Sequence, residues 1–480
     1  SLAPAALAAP ANTDITFDGV MAGDTVMAYP MVTYDATYSS FTYHPAFKTF
    51  LEAKRASAGT SLDAWFSALA SDVLSGYLTE YTEKIQAGTA GYDLPTAEVE
   101  GTVAAGATST TLDLAPGFYL VLTRTTTVNS KVYTPVAVFA RVMGDHSVKV
   151  YAGGSGTELA APYTIAMKSE AAPVIVKKVR NNYSDLVSGI HYQPTTSSGV
   201  GTYYGVDFVI KVTIPLYAGD PHFSTLTIKD TLVNAALTKN DPTDPLVLSI
   251  HRKYDAGTGH FDGNLNAALK TTSHIDPYAG GKQDIVLDLD YDLLKNTTAG
   301  ATETVFYIQY HARLQKDAID TDTPLTSGGK TNMGKNTAAL TYALATDTTE
   351  KMTDPVSTSV YTYSIKLEKK DMDGSALTGA KFRLYSDDTM TAEVGLVKDA
   401  TGGFYYPADV GVTGDEIDTD TGNSFLIKGL EQGTYYLKET ATKAGFYLPK
   451  GGFKIVLAGE GNATTDRKLT GKLAAAYSTF

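Results

Sequence analysis

The chain of 480 residues contains no cysteine, which excludes disulfides and thiolate metal sites as ways of holding it together. A cytosolic protein of this length usually carries a few thiols, so their absence points to an exported bacterial protein. Basic charge is also scarce. Lys and Arg number 39 against 52 Asp and Glu, for a net charge of −13, which argues against nucleic acid as a partner and offers nothing to an anionic membrane. No run approaches the roughly 20 apolar residues of a membrane span. The 8 His are scattered without an HExxH pairing, and no Gly-x-Ser-x-Gly elbow occurs. Gly153-Gly154-Ser155-Gly156 lacks the Lys-Ser/Thr of a phosphate loop and reads as a flexible turn. Asp418-Thr419-Asp420-Thr421-Gly422 and Asp320-Thr321-Asp322 begin like calcium loops but lack the later acid, so they read as solvated turns. No cofactor or metal is implied, and an enzyme acting on external substrates is not expected.

What is present favours β-structure. Tyr (31) and Gly (43) are abundant, and Thr and Val are frequent, as in strands joined by many turns. The length implies two to four domains. Small residues from Ser1 to Pro10 resemble the end of a signal peptide, the alternative reading being a flexible terminus. Residues 15–34 hold two β-like runs joined at Ala22-Gly23-Asp24. Ser61 can cap a helix in which Trp65, Leu69 and Val73 recur at i, i+4, continuing through Leu78, Tyr81 and Ile85 to Gly88. Trp65, the only tryptophan, is expected in the core. Strands follow at 110–114, 118–123 and 133–142.

A passage containing Pro and Ala at 159–173 marks a boundary. Beyond it, 206–215, 225–228, 284–289, 305–314 and 337–344 alternate apolar and polar residues as half-buried strands do. Turn-rich inserts such as Asp241-Pro242-Thr243-Asp244-Pro245 separate them. A shorter third part has strands at 365–369, 380–385, 424–427, 435–439 and 453–457. The expectation is a mainly β chain of three modules, 1–168, 169–361 and 362–480, with added helices in the first.

One constellation carries chemistry. Ile175, Lys177 and Val179 share one face of a strand by period two. A charged lysine directed into a core is costly, so Lys177 must be neutral, paired or reacted. Asn336 shares its face with Ala338, Leu340 and Tyr342, and Asp230 follows the apolar run 226–228. An amine, an amide and an acid facing one core are what transamidation with loss of ammonia requires. Burial lowers the amine's pKa and raises the acid's, favouring both neutral forms. The alternative reading is two surface charges and a turn asparagine.

These motifs resemble those of sortase-assembled backbone (major) pilins of Gram-positive bacteria, over nearly the whole chain. Pro173-Val174-Ile175-Val176-Lys177 is similar to the opening strand of that family's middle module. Thr227-Ile228-Lys229-Asp230-Thr231-Leu232 is similar to its acid-bearing strand, and 336–342 to its closing strand. The resemblance implies three tandem immunoglobulin-like, Cna-type β-sandwiches and an isopeptide bond between Lys177 and Asn336, promoted by Asp230. The third module resembles a collagen-adhesin B-type domain through Ile365-Lys366-Leu367-Glu368-Lys369-Lys370-Asp371 and Gly433-Thr434-Tyr435-Tyr436-Leu437-Lys438-Glu439-Thr440. There it implies Lys366 as the reactive amine and Glu439 as the acid. The partner is open: Asn462 and Asp466 lie early for a last strand, and 467–480 holds neither Asn nor Asp. In the first module Thr123 stands where the acid would be, so no internal cross-link is expected there.

By the same resemblance, Lys168 is the lysine that sortase joins to the neighbouring subunit, with Lys149 as runner-up. Lys168 lacks the Tyr-Pro pair that precedes the family's linkage lysine. A sorting motif of the LPxTG kind is expected beyond Phe480. The implied protein is a secreted, cell-wall-anchored pilus shaft subunit whose only chemistry is on itself. Its implied partners are identical subunits, a pilus-specific sortase, tip and basal pilins, and a host surface or matrix. The alternative function is an adhesin or tip subunit binding a host ligand.

Overall fold

The fold comes from a computed structural model, which describes residues 9–457 except 36, 56–58, 97–98, 128–129, 181–188, 192–204, 218–219, 234, 238–247, 257, 315–332, 346, 362, 402, 409–413, 420–421 and 431–432. The opening residues 1–8, the 241–245 insert, Asp320–Asp322, Asn462 and Asp466 therefore lie outside the described residues. The chain is mainly β, a series of immunoglobulin-like sandwiches with helices in the first part. Among the described residues no helix is long and apolar enough to cross a membrane.

In the first part the two early runs are strands Thr13–Asp18 and Thr25–Tyr34, turned at Gly23, whose φ of +87° suits a residue without Cβ. Strand Gly117–Arg124 pairs with Thr25–Tyr34 and with Val136–Val142. It is buried on both faces because two cores flank it. Phe118, Leu120 and Leu122 meet the helices, while Tyr119 and Val121 meet Ile15, Phe17 and Leu112 of a smaller sheet. The run 133–142 is interrupted at Pro135 into Lys131–Tyr133 and Val136–Val142, as the missing N–H of proline requires.

The helical region differs from expectation. Helix α1, Pro45–Lys54, starts with Pro at its first position and buries Phe47, Phe50 and Leu51. It has no counterpart in the sequence reading. The single helix expected from Ser61 to Gly88 is two, α2 (Leu62–Ala68) and α3 (Ser71–Gln86). Ser61 does cap α2, accepting from the Ala64 N–H at 3.2 Å. The chain then turns extended at Leu69 and Ala70, which resets the phase. The buried stripe is Leu62, Phe66, Leu74, Leu78, Tyr81 and Ile85, whereas Val73 is exposed. Trp65 is half-buried and stacks on Tyr77 at 6.0 Å, covering the core rather than filling it. Gly156, in the glycine-rich turn, passes so close to α3 that a Cβ would lie 2.4 Å from the Asp72 nitrogen.

The middle sandwich positions the site. One sheet runs Val174–Arg180, Gly205–Pro215, Glu303–Leu314, Leu248–Asp255. The facing sheet runs Val356–Tyr361, Met333–Leu344, Phe223–Val233, Lys282–Asp288. Ile175, Val179, Phe208, Ile210, Ile308, Ile228, Leu232, Ile285 and Leu340 form one core between them. Val132, from the first part, packs into this same core, and Ser169–Ala171 pairs with its strand, Lys131–Tyr133. The first and middle sandwiches thus share apolar contacts. The last strands form two four-stranded sheets, Tyr363–Glu368 with Ser424–Leu430 in one and Lys381–Tyr385 with Gly433–Ala441 and Gly452–Leu457 in the other.

Candidate functional site

Lys177 sits near the middle of the opening strand, paired opposite Ile210, with its side chain inside the sandwich between Ile175 and Val179. Asp230 and Asn336 are on adjacent strands of the facing sheet, where Asp230 pairs with Ala338 and Leu232 with Asn336. Alternation therefore turns Asp230, Leu232, Asn336 and Ala338 toward the same interior. The site bridges the two sheets: amine from one, acid and amide from the other.

The geometry is close. Lys177 Nζ lies 2.7 Å from Asp230 Oδ2 and 2.7 Å from the Tyr310 hydroxyl. Asn336 Nδ2 donates to the same hydroxyl at 2.6 Å, and that hydroxyl donates to Asp230 Oδ2. The side chains of Lys177 and Asp230 are fully buried, as is Asn336. The rings of Tyr310 and Phe208 lie 5.1 and 5.5 Å from Nζ. Two polar atoms at the site are left without a hydrogen-bond partner, Asp230 Oδ1 and Asn336 Oδ1. These are the second oxygen of the acid and the carbonyl oxygen that an acid would polarise.

Burial controls the protonation states. Loss of water pulls the Lys177 amine down to about 8, against the opposing pull of Asp230. The same burial raises the Asp230 carboxyl above its ordinary range, opposed by Lys177 and by the hydroxyl of Tyr310. Both shifts favour a neutral amine beside a protonated acid. Burial, then the neighbouring Asp230, holds the Tyr310 phenol well above its ordinary value, so it remains protonated. The set supplies a nucleophile, an acid and an amide in a site closed to water.

Tyr310 was not singled out in the sequence, although the signal was there. Phe306, Ile308, Tyr310 and Ala312 alternate along one strand, and all are buried. A tyrosine on such a face must bring its hydroxyl to a partner.

The last sandwich corrects one assignment. Glu439 is buried, with Oε2 2.9 Å from Lys369 Nζ and Oε1 unpartnered. Lys366 does not approach it. Its side chain is 65% exposed and pairs with Glu368 at 3.5 Å. Period two explains the exchange: Ile365 and Leu367 face inward, so Lys369 follows them and Lys366 points to water. Lys369 is thus the amine beside the acid. Asn423 is adjacent, but its Nδ2 donates to the Lys369 carbonyl at 3.2 Å.

In the first sandwich Thr123 is buried, and its hydroxyl has no hydrogen-bond partner. Lys168 is exposed, its carbonyl held by the Thr134 N–H at 2.9 Å, and its ammonium makes no ion pair among the described residues. Lys149 is also exposed but paired with Glu158 at 3.0 Å, which raises its pKa. Asp418 lies in a short strand 4.0 Å from Lys381, and no cluster of metal-ligating side chains occurs among the described residues.

Comparison with known proteins bears on the fold. Residues 363–470 match the SpaA family model, a prealbumin-like fold domain. No curated protein matches the chain in sequence. Among solved structures, the T6 backbone pilin of serotype M6 Streptococcus pyogenes, described as modular and three-domain, superposes with a TM-score of 0.52 at 16% identity, covering 96% of this chain and 84% of that one. The full-length major pilin SpaD of Corynebacterium diphtheriae gives 0.47 at 16% identity, over 94% and 93% of the two chains. The major pilin SpaA of the same organism gives 0.46 at 16% identity, over 95% and 97%. The chain therefore shares the modular β fold of a Gram-positive backbone pilin, with a SpaA-type prealbumin-like domain at its carboxyl-terminal side, in keeping with the resemblance carried by its motifs.

Proposed function

We propose that this protein is the shaft subunit of a covalently polymerised surface pilus, stapled internally by an isopeptide bond between Lys177 and Asn336. The reading rests on one observation above all, the buried group of Lys177, Asp230, Tyr310 and Asn336 spanning both sheets of the middle sandwich. A lysine with no water around it is expensive to keep charged, and here it lies beside an amide it can consume. The likeness in fold to the streptococcal backbone pilin supports the same conclusion.

The bond would join the opening strand to a late strand of one module, so that pulling force bypasses the hydrogen-bonded ladder. Such a shaft depends on unfolding rate under tension, where a cross-link that needs no thiol is an advantage. Lys369 and Glu439 form a second candidate amine–acid pair, whose partner is open. Lys168, exposed and without an ion pair among the described residues, is the linkage lysine by this reading, since Lys149 is engaged with Glu158. Sortase would join successive subunits there, placing the protein outside the cell on the wall-anchored pilus. Its chemistry would then be confined to itself.

Intact-protein mass tests the staple. The parent chain should be lighter than its sequence by one ammonia per Lys–Asn closure, and Asp230→Ala should restore the mass. Full sequence mass in the parent would refute it. Co-expression with the cognate sortase tests the shaft: a high-mass ladder lost in Lys168→Ala supports it, and an unchanged single band favours an adhesin.

A further inference from the structure

We infer that Tyr310 is a catalytic residue of the Lys177–Asn336 closure, carrying one proton from the attacking lysine nitrogen to the departing amide nitrogen. The inference rests on the transamidation reading above and adds a fourth participant to it. Its basis is the position of one hydroxyl, which touches both nitrogens of the reaction, Lys177 Nζ at 2.7 Å and Asn336 Nδ2 at 2.6 Å, while donating to Asp230 Oδ2.

The proton balance shows why such a group is needed. The neutral Lys177 amine attacks Cγ of Asn336, forming the Nζ–Cγ bond. The carbonyl pair moves to Oδ1, which takes a proton from Asp230. The attacking nitrogen now carries one proton too many, and the leaving nitrogen one too few. Asp230 serves the oxygen, and its Oδ1 and Asn336 Oδ1 are the two atoms without other partners. Asp230 Oδ2 also touches Nζ, at 2.7 Å, but among the described residues the hydrogen bond of Nδ2 goes to Tyr310 and not to Asp230, so the acid alone does not carry the proton on to the leaving nitrogen. Water, the usual carrier, is shut out by the burial of all four side chains. Tyr310 bridges the gap: its oxygen takes the proton from Nζ as its own proton passes to Nδ2. Oδ1 then returns its proton to Asp230, the carbonyl re-forms, the Cγ–Nδ2 bond breaks and ammonia leaves. The lysine nitrogen has lost one hydrogen, ammonia has gained it, and Tyr310 and Asp230 are unchanged. Because the phenol is rigidly held by its ring in the core, the transfer requires only a change of hydrogen-bond direction.

The experiment follows ammonia loss by intact mass in freshly synthesised full-length chains, with cooperative thermal melting as the check on folding. General acid–base groups typically contribute 100-fold or more, so Tyr310→Phe should fold and close on the order of 100-fold more slowly. Site-specific 3-fluorotyrosine at 310, which keeps the hydroxyl but makes it more acidic and less basic, should close at a rate measurably different from the parent's yet far above that of Tyr310→Phe. A packing role would leave that rate in place. Closure of Tyr310→Phe at the parental rate, or a fluorotyrosine rate that coincides with the parent's, overturns the role of Tyr310 while leaving the cross-link standing. If Tyr310→Phe does not fold, the fluorotyrosine rate decides alone. A parent chain that loses no ammonia overturns the cross-link and this inference together.

Discussion

Two buried lysines in the middle sandwich invite comparison, because each lies 2.7 Å from an aspartate oxygen, yet their surroundings differ. Lys177 and Asp230 sit in the apolar core, with one carboxyl oxygen unpartnered and an amide alongside. Lys351 and Asp347 are four residues apart on one strand, Asp347–Met352, where the middle sandwich meets the first. Asp347 is saturated: it accepts from the Thr125 N–H at 3.2 Å, the Thr125 hydroxyl at 3.0 Å and the Thr349 N–H at 3.1 Å, besides Lys351. Both oxygens of Asp347 are thereby engaged, whereas Asp230 keeps its Oδ1 without a partner. Burial alone therefore does not make a lysine a nucleophile. What meets the acid differs: an amide alongside and an unpartnered oxygen at Asp230, and a full set of donors that latches two sandwiches together at Asp347.

The largest expected effect separates these roles directly. Asp230→Ala should abolish the ammonia deficit and lower stability by roughly 4–5 kcal/mol, the closure entropy of a loop of more than about a hundred residues, measured by mass and denaturant unfolding. Asp347→Ala should leave the ammonia deficit, measured against its own sequence mass, unchanged. It should still cost about 3–5 kcal/mol, because Lys351 would remain buried without its counter-charge. Loss of the ammonia deficit in Asp347→Ala would erase the distinction between the two pairs.

The last sandwich sharpens the same point at smaller scale. Lys369→Ala should destabilise that sandwich by about 1–3 kcal/mol by stranding the buried Glu439. Lys366→Ala should change stability by less than about 0.5 kcal/mol, as an exposed pair does. Thermal melting of the two variants, with intact mass, checks the assignment; equal effects would undo it.

A further effect is in pH. Asn336→Ala retains Lys177 and Asp230 but has no amide to consume. In that variant the Lys177 pKa of about 8 lies below the ordinary 10.5, so between those values the unfolded chain binds more protons. Stability should therefore rise as pH climbs through this window and be lower beneath it. Adding Lys177→Met should remove the slope, as read from thermal midpoints across that range. A slope that survives the second substitution would place its origin elsewhere.

Much of this site was legible as pattern. The run Ile175, Lys177, Val179 placed the lysine inward, and Asn336 with Ala338 and Leu340 did the same for the amide, because strand alternation is local. The same rule applied to Ile365 and Leu367 selects Lys369, yet resemblance to a family motif had favoured Lys366. Local physics was the better guide there. The helices went the other way. Trp65, Leu69 and Val73 suggested one continuous stripe, but the break at Leu69 and Ala70 lets α2 and α3 each present a different face to the sheet. No local propensity announces that break.

Sequence alone determined the β character, the order of strands and the inward direction of Lys177, Asp230 and Asn336, because alternation and turn chemistry act over a few residues. Only tertiary structure decided that Tyr310 reaches three of the site's polar atoms, that Lys351 and Asp347 face Thr125, and that Lys369 meets Glu439. Those contacts join residues far apart in the chain, and their chemistry depends on how many hydrogen-bond donors converge once water has gone.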